Sequence, residues 1–184
     1  MREELLPQLP VNNRLVSEDL VRRARASEPN ALDTLFQMFG KVVYSTAYRI
    51  MLSAADADDI LQDVFLGLPQ AIGKYDARGS FEGWLRRVTV NTALMKLRSR
   101  RTRSQVSIAG SRDMSLATAA DHVEERLTLE DAIAALNEEQ RIVFVLKQIE
   151  GYSHVEIGRL LSISQLASRS RYHRAIKRLR EQLR

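Results

Sequence analysis

The sequence predicts an all-α protein of two small helical domains joined by a flexible linker, the C-terminal one carrying a helix-turn-helix. Three observations predict it. From Ser17 nearly to the end, apolar residues recur with helical spacing, and Val, Ile and Thr do not alternate as they would in strands. Between Thr102 and His122 that period lapses into a stretch rich in Ser, Ala, Thr and Gly, too long for a loop inside one compact domain. After it come capping signals and a strongly basic last helix. The expected organisation is a disordered leader at 1–13, a first domain at 14–101, a linker at 102–124 and a second domain at 125–184.

Hydrophobic residues make up 45% of the 184 and charged residues 28%, ordinary globular proportions. With no cysteine there is no disulfide framework and no thiolate metal site, which fits a reducing cytoplasm. The first residues are too acidic for a secretory signal. The densest apolar run, Ile142 to Leu146, is far too short to span a bilayer, so membrane insertion is not expected and the expected location is the cytoplasm. A net charge of +5 and a pI near 9.8 are weak pointers to nucleic acid; the distribution of charge says more.

In the first domain, Leu32, Leu35, Phe36, Phe39, Val42, Val43, Ala47, Ile50 and Met51 share one broad face, as in a core helix. A second helix, expected from Ala54 to Leu68, carries Asp56, Asp59 and Asp63 along one face, flanked by Asp58 and Gln62. No basic residue lies between Ser53 and Gly73. Such a face is either a solvated surface with acids near a helix N-terminus or a docking surface for a basic partner helix. After a turn from Lys74 to Gly79, Ser80 is placed to cap a third helix. Phe81, Leu85 and Val88 are expected in its core; Trp84 and Tyr75 suit either the core or stacking on unpaired bases. Further along come Arg86, Arg87, Asn91, Lys96, Arg98, Arg100, Arg101 and Arg103, a solvated helix end or a phosphate contact.

The second domain has the clearest local grammar. Leu127, Leu129, Ile133 and Leu136 form one stripe, and Asn137 with Gln140 starts the next helix, which carries Ile142, Val143, Phe144, Leu146 and Ile149. Gly151 suits a left-handed C-cap. Ser153 with Glu156 makes a capping box for a short helix through Leu161, and a tight turn leads to Ser164, the expected cap of the last helix. Along that helix Tyr172, Ala175, Ile176, Leu179 and Leu183 face a core; Arg169, Arg171, Arg174, Lys177, Arg178 and Arg180 cover the rest, against the single acid Glu181. Short helix, turn and basic helix make a helix-turn-helix, whose second helix meets base edges with its N-terminal end. Gln165, Arg169, Ser170 and His173 would then carry the readout: Gln suits adenine, and Arg suits guanine. The remaining arginines suit phosphates. The other reading is a basic helix that only packs, or that touches RNA. His122, His154 and His173 lack metal-ligand spacing, and no phosphate-cradling glycine loop appears, so neither catalysis, a cofactor nor a metal is expected.

Three blocks resemble bacterial sigma factors of the extracytoplasmic-function type, over about Ser17 to Leu183. They are Ala55 to Leu66 (ADADDILQDVFL), Phe81 to Asn91 (FEGWLRRVTVN), and Glu150 to Ser164 (EGYSHVEIGRLLSIS) with Ser170 to Ala175 (SRYHRA). The resemblance implies that the first block docks on core RNA polymerase, made with its two large subunits, through a basic coiled coil. Asp58, Asp59, Gln62 and Asp63 are then the expected contacts, with Asp56 beside them. It implies that the turn holding Lys74, Tyr75, Arg78 and Ser80 is a pocket for a flipped base of the minus-ten element, where a fitted pocket recovers the cost of unstacking. Trp84, Arg87, Asn91, Arg98, Arg100 and Arg101 would hold that element's strands. The last helix would read the minus-thirty-five element of promoter DNA with Gln165, Leu166, Arg169, Ser170, Arg171, His173, Arg174 and Lys177. The linker would thread near the RNA path, and an anti-sigma factor is an expected partner.

Two positions depart from the family's pattern. Met95 stands where many members have an acid. The last helix opens with Gln165 to Ser168 (QLAS) where a Glu-Gly-Thr-Val-like run is usual. Ser168 falls on the packing face, where a hydroxyl without a partner costs about 1–3 kcal/mol. Leu166 falls on the DNA side, where it suits a thymine methyl. The minus-thirty-five preference is therefore expected to differ from that of close relatives, or to be weak. The runner-up function is a stand-alone helix-turn-helix regulator. A recombinase or nuclease with such a tail lacks a catalytic constellation here.

Overall fold

A computed structural model of the chain describes residues 16–76, 79–107 and 128–183, and every regular element in them is helical. The expected leader at 1–13, the expected linker from 108 onward, Leu127 and Arg78 lie outside the described residues. The first half holds α1 (Glu18–Arg25), α2 (Pro29–Met51), α3 (Ala54–Leu66), α4 (Leu68–Ala71) with a 3-10 turn at Ile72–Lys74, and α5 (Phe81–Ser107). The second holds α6 (Leu129–Ala134), α7 (Glu138–Phe144) running into a π turn at Val145–Ile149, α8 (His154–Leu161) and α9 (Gln165–Gln182).

Short polar side chains set most helix starts. Each accepts a hydrogen bond from a backbone N–H that the helix itself cannot satisfy. Ser17 accepts from Leu20 N at 3.2 Å, Ser53 from Asp56 N at 3.2 Å and Ser80 from Gly83 N at 3.0 Å. Helix α2 starts instead on Pro29, whose missing N–H costs nothing at that position. It then buries Leu35, Phe39, Val43, Ala47 and Ile50 against Ile60 and Val64 of α3 and Phe81, Leu85 and Leu94 of α5. Arg25 ties α1 to the turn before α5, donating to the carbonyls of Ile72 at 3.3 Å and Tyr75 at 2.7 Å.

Several expectations change. Phe36, expected in the core, is 47% exposed and sits edge-on to Phe65 at 5.0 Å. The second helix does not reach Leu68 unbroken: it ends at Leu66, and a new turn begins with Pro69 in its first positions. Val88 is only half-buried. Helix α5 runs past Arg101 to Ser107, into the expected linker. Leu129 and Leu183, expected on packed stripes, are exposed.

In the second half α9 packs on α7 and α8, around Ile142, Phe144, Leu146, Ile157, Ala175 and Leu179. The π turn closes with Glu150 N on Val145 O at 3.0 Å, and Tyr152 N then reaches back to Leu146 O at 2.9 Å. Between them Gly151 adopts φ +77°, as its expected capping role requires. Helices α8 and α9 meet more tightly. A Cβ at Gly158 would lie 2.8 Å from the Ile163 carbonyl.

The two halves touch where α2 packs on α7. Buried Arg141 donates to Leu136 O within its own half and to Ile50 O in the other, both at 3.3 Å. Burial holds its pKa below the usual arginine value. The Thr46 hydroxyl donates to Glu150 Oε1 at 3.2 Å, Arg86 donates to the same oxygen at 3.3 Å, and Arg49 pairs with Glu130 at 3.1 Å.

Gly151→Ala is expected to cost about 1–2 kcal/mol, the strain of a left-handed residue with a Cβ, because the space around it is open. Gly158→Ala, which drives a methyl into fixed backbone, is expected to cost at least as much, about 1–3 kcal/mol. Urea unfolding of both variants checks the order.

Candidate nucleic-acid interface

Three surfaces collect the residues singled out in the sequence. The first is the outer face of α3. Asp58, Gln62 and Asp63 are exposed there. Asp56 and Asp59 are not free: Lys96 of α5 lies 3.3 Å from Asp56 Oδ1 and 2.7 Å from Asp59 Oδ2, and Arg100 lies 3.2 Å from Asp56 Oδ2. The pairs hold the Lys96 ammonium above its ordinary pKa, against the opposing pull of burial. The acidic helix and part of the basic run thus neutralise each other within one half of the protein.

The second surface is an open groove of about 330 Å³ along α5, lined by Ala71, Lys74, Trp84, Arg87, Val88, Asn91, Thr92 and Met95. It gathers four residues expected at the minus-ten element: Lys74, Trp84, Arg87 and Asn91. Trp84 forms one wall while its ring packs 5.4 Å from Phe81 and 5.6 Å from Tyr75, so its orientation is fixed from behind. Tyr75 itself turns inward. Its hydroxyl donates to Gly79 O at 2.8 Å and its ring meets Phe81 edge-on at 5.3 Å. The Ser80 hydroxyl is taken up in capping α5. Both residues shape the turn before α5 instead of lining the groove. Met95 is 66% exposed at the groove's edge.

Beyond the groove, α5 turns towards the second half. Arg98 donates to the Leu160 carbonyl and Arg101 pairs with Glu138. Arg86, counted in the basic run, points inward to buried Glu82 at 3.0 Å and to Glu150. The Glu150 side chain is 1% exposed. Burial pushes its carboxyl pKa up, while Arg86 and Thr46 pull it back. The i, i+4 spacing of Glu82 and Arg86 is visible in sequence. The pairing of Thr46 and Arg86 with Glu150 is not, because 104 and 64 residues separate them.

The third surface is α9. Ser164 caps it through Ala167 N at 3.0 Å, and Gln165, Leu166, Arg169, His173, Arg174 and Lys177 are exposed along it. Arg171 is half-buried and pairs with Glu139 at 3.0 Å; Arg174 donates to Ser170 Oγ at 2.9 Å. Ser168 is buried as its spacing predicts, but its hydroxyl has a partner, His154 Nδ1 at 2.9 Å, so the anticipated penalty does not arise. His154 also meets Tyr172 edge-on at 5.6 Å, and Tyr172 donates to Gln148 Oε1 at 2.7 Å. Burial lowers the His154 pKa, and the charges of Lys147 and Arg169 add to this.

A basic helix-turn-helix together with an aromatic, basic groove fits the class of DNA-binding proteins. Comparison with known proteins narrows the class. Residues 35–103 match the family model for Sigma-70 region 2, and residues 126–179 that for Sigma-70, region 4. The chain is 32% identical to RNA polymerase sigma factor CarQ of Myxococcus xanthus, over 89% of this chain and 95% of that one. It is 35% identical to ECF RNA polymerase sigma factor SigE of Mycolicibacterium smegmatis over 82% of this chain, and spans 61% of that longer relative. In fold it resembles the sigma factor RpoE of Bartonella quintana, solved with the anti-sigma factor NepR, at a TM-score of 0.57 and 19% identity over 82% of this chain and 95% of that one. The chain belongs to the extracytoplasmic-function RNA polymerase sigma factors and is a promoter-recognising sigma factor.

The lowered His154 pKa sets a pH dependence. Folding favours the neutral ring, so the unfolded chain takes up the proton first. Stability is intact above the ordinary histidine range and is lost as pH falls through it to the lower folded value. Glu150, raised by burial, works the other way, so the effect is read against His154→Asn, which keeps a nitrogen near Ser168 but does not titrate. From about pH 7.5 to about pH 5.5 the parent's thermal midpoint should fall further than the variant's. Equal falls would remove His154 as the cause.

Proposed function

We propose that the chain loads onto core RNA polymerase through the exposed acids of α3, holds the opened minus-ten element in the α5 groove and reads the minus-thirty-five element with α9. The observation that carries this is the groove itself. It brings Lys74, Trp84, Arg87 and Asn91 to one open surface, with an aromatic wall for a base and cations for the backbone. No bond is made or broken by the protein on this reading. It lowers the cost of strand opening by giving an unstacked base a place to go.

The contacts between the halves support a dependence on polymerase. The two elements stand about 25 base pairs apart, or about 85 Å at 3.4 Å per pair. Helices α5 and α8 touch through Arg98 and Leu160, and on this reading that contact opens when both halves engage their elements. On the polymerase surface the two halves would therefore part. An anti-sigma factor is a partner on the same reading, as NepR is for the Bartonella quintana protein. A stand-alone regulator finds less support, since it would have to bind a palindrome unaided while Arg98 and Arg101 are turned to the other half. The deciding experiment is transcription in vitro from a library of promoters by core polymerase, with and without the chain. Initiation that does not depend on the chain would overturn the proposal.

Two variants test its parts. Reversing Asp58→Lys and Asp63→Lys together, at exposed residues that form no ion pair among the described residues, should abolish binding to core polymerase without changing the thermal midpoint. Unchanged affinity for core would sink the docking assignment. Trp84→Leu keeps an apolar side chain against Phe81 but loses the stacking face. Stacking of a base on an aromatic is worth about 1–3 kcal/mol, so holoenzyme affinity for a single-stranded minus-ten oligonucleotide should fall by about five- to 150-fold. Affinity for a duplex carrying only the minus-thirty-five element should not change.

A further inference from the structure

The outer face of α9 has an apolar centre. With the helix turning about 100° per residue, Leu166 stands about 160° around the axis from the mean direction of the buried Ser168, Ala175 and Leu179. Arg169 and His173 lie to one side of it, Ser170 and Lys177 to the other. Leu166 is 76% exposed, in the first turn of the helix. A single exposed leucine on an ordinary surface needs no explanation. This one sits at the middle of a face that is otherwise cationic or polar, on the turn that a helix-turn-helix pushes deepest into the major groove. The hydrogen bond between His154 and Ser168 fixes which way the turn faces, because the hydroxyl two positions on is held inward.

We infer that Leu166 is a base-reading residue that recognises the C5 methyl of thymine in the minus-thirty-five element. In the major groove, thymine is the base that offers a methyl group; the other edges are donors and acceptors. A leucine there gains nothing from guanine or adenine edges and leaves cytosine's amine without an acceptor. The surrounding Arg169, Arg174 and Lys177 draw the polyanion close enough for the contact, so the charge that binds and the methyl that specifies are supplied by neighbours on one helix. The inference rests on the proposed reading of α9 and adds the chemical group that it selects.

The test uses holoenzyme assembled from core polymerase and the full chain. A minus-thirty-five site is first selected from randomised duplex. Each thymine in it is then replaced, one at a time, by deoxyuridine, which differs by the methyl alone. Loss of one buried methyl should weaken the parent by about three- to fourfold at one or two thymines facing the first turn of α9. The Leu166→Ala holoenzyme should bind the thymine and deoxyuridine duplexes equally at those positions. A parent indifferent to every replacement overturns the inference, as does a selected site with no thymine there, or a Leu166→Ala protein with the same loss. A holoenzyme with no sequence preference at the minus-thirty-five position would instead overturn the wider reading of α9, and this inference with it.

Discussion

Helix α5 carries Arg86, Arg87, Lys96, Arg98, Arg100, Arg101 and Arg103 on one rod, and the free protein has to place that charge somewhere. The structure does so with acceptors of two kinds. At its start, Arg86 reaches buried Glu82 and Glu150, and both carboxylates are almost wholly out of solvent. Removing one partner from a buried pair costs about 3–5 kcal/mol, because the other is left charged and unsolvated. That end of the helix is therefore fixed in place. Further along, Lys96 and Arg100 pair with Asp56 and Asp59, and Arg101 with Glu138, at or near the surface. Where such a pair is exposed on both sides, as between Arg101 and Glu138, it contributes about 0.2–1 kcal/mol. A pair of that strength can be exchanged for a phosphate or a partner's charge with little loss.

This gradient gives a physical sense to the proposed dependence on polymerase. The acids that pair with Lys96 and Arg100 sit on the helix proposed to dock on polymerase. The arginines that bridge to Glu138 and Leu160 are among those that the family resemblance implies hold DNA. Each weak internal contact covers a residue with an expected external partner. A polyanion competes well for such cations, since neutralising phosphates releases counterions as well as forming pairs. A partner that offers only one of the two surfaces leaves the other contacts in place. In this account polymerase and promoter act together because the internal pairs they displace lie on one helix.

What the sequence made legible was local. Ser80, Asn137, Ser153 with Glu156, and Ser164 cap the helices they were expected to cap, because a cap needs only a partner three residues away. Gly151 takes its left-handed turn for the same reason. The break at Gly67, the run of α5 to Ser107 and the exposure of Phe36 escaped, since each depends on what packs alongside and not on spacing. In the candidate site, the aromatic and basic pattern singles out Trp84, Arg87 and Asn91, the family resemblance adds Lys74, and the structure brings the four together. That the Tyr75 hydroxyl would bond back to Gly79, and that Arg86 would face inward to Glu150, depends on contacts that periodicity cannot place.

Ser168 is the sharpest case. The spacing of α9 put a hydroxyl on the packing face, and an unpaired hydroxyl there is a cost. The chain supplies His154, 14 residues earlier on the first turn of α8, with its ring held against Tyr172. An apolar contact at this point would reward buried area and tolerate small rotations of α9. A hydrogen bond at 2.9 Å sets distance and direction together, and the close approach at Gly158 leaves α8 and α9 little room to slide. The polar residue inside and the apolar residue outside therefore belong to one device: the first holds the pitch of the reading helix, and a reader as short-ranged as a leucine is useful only when that pitch is held.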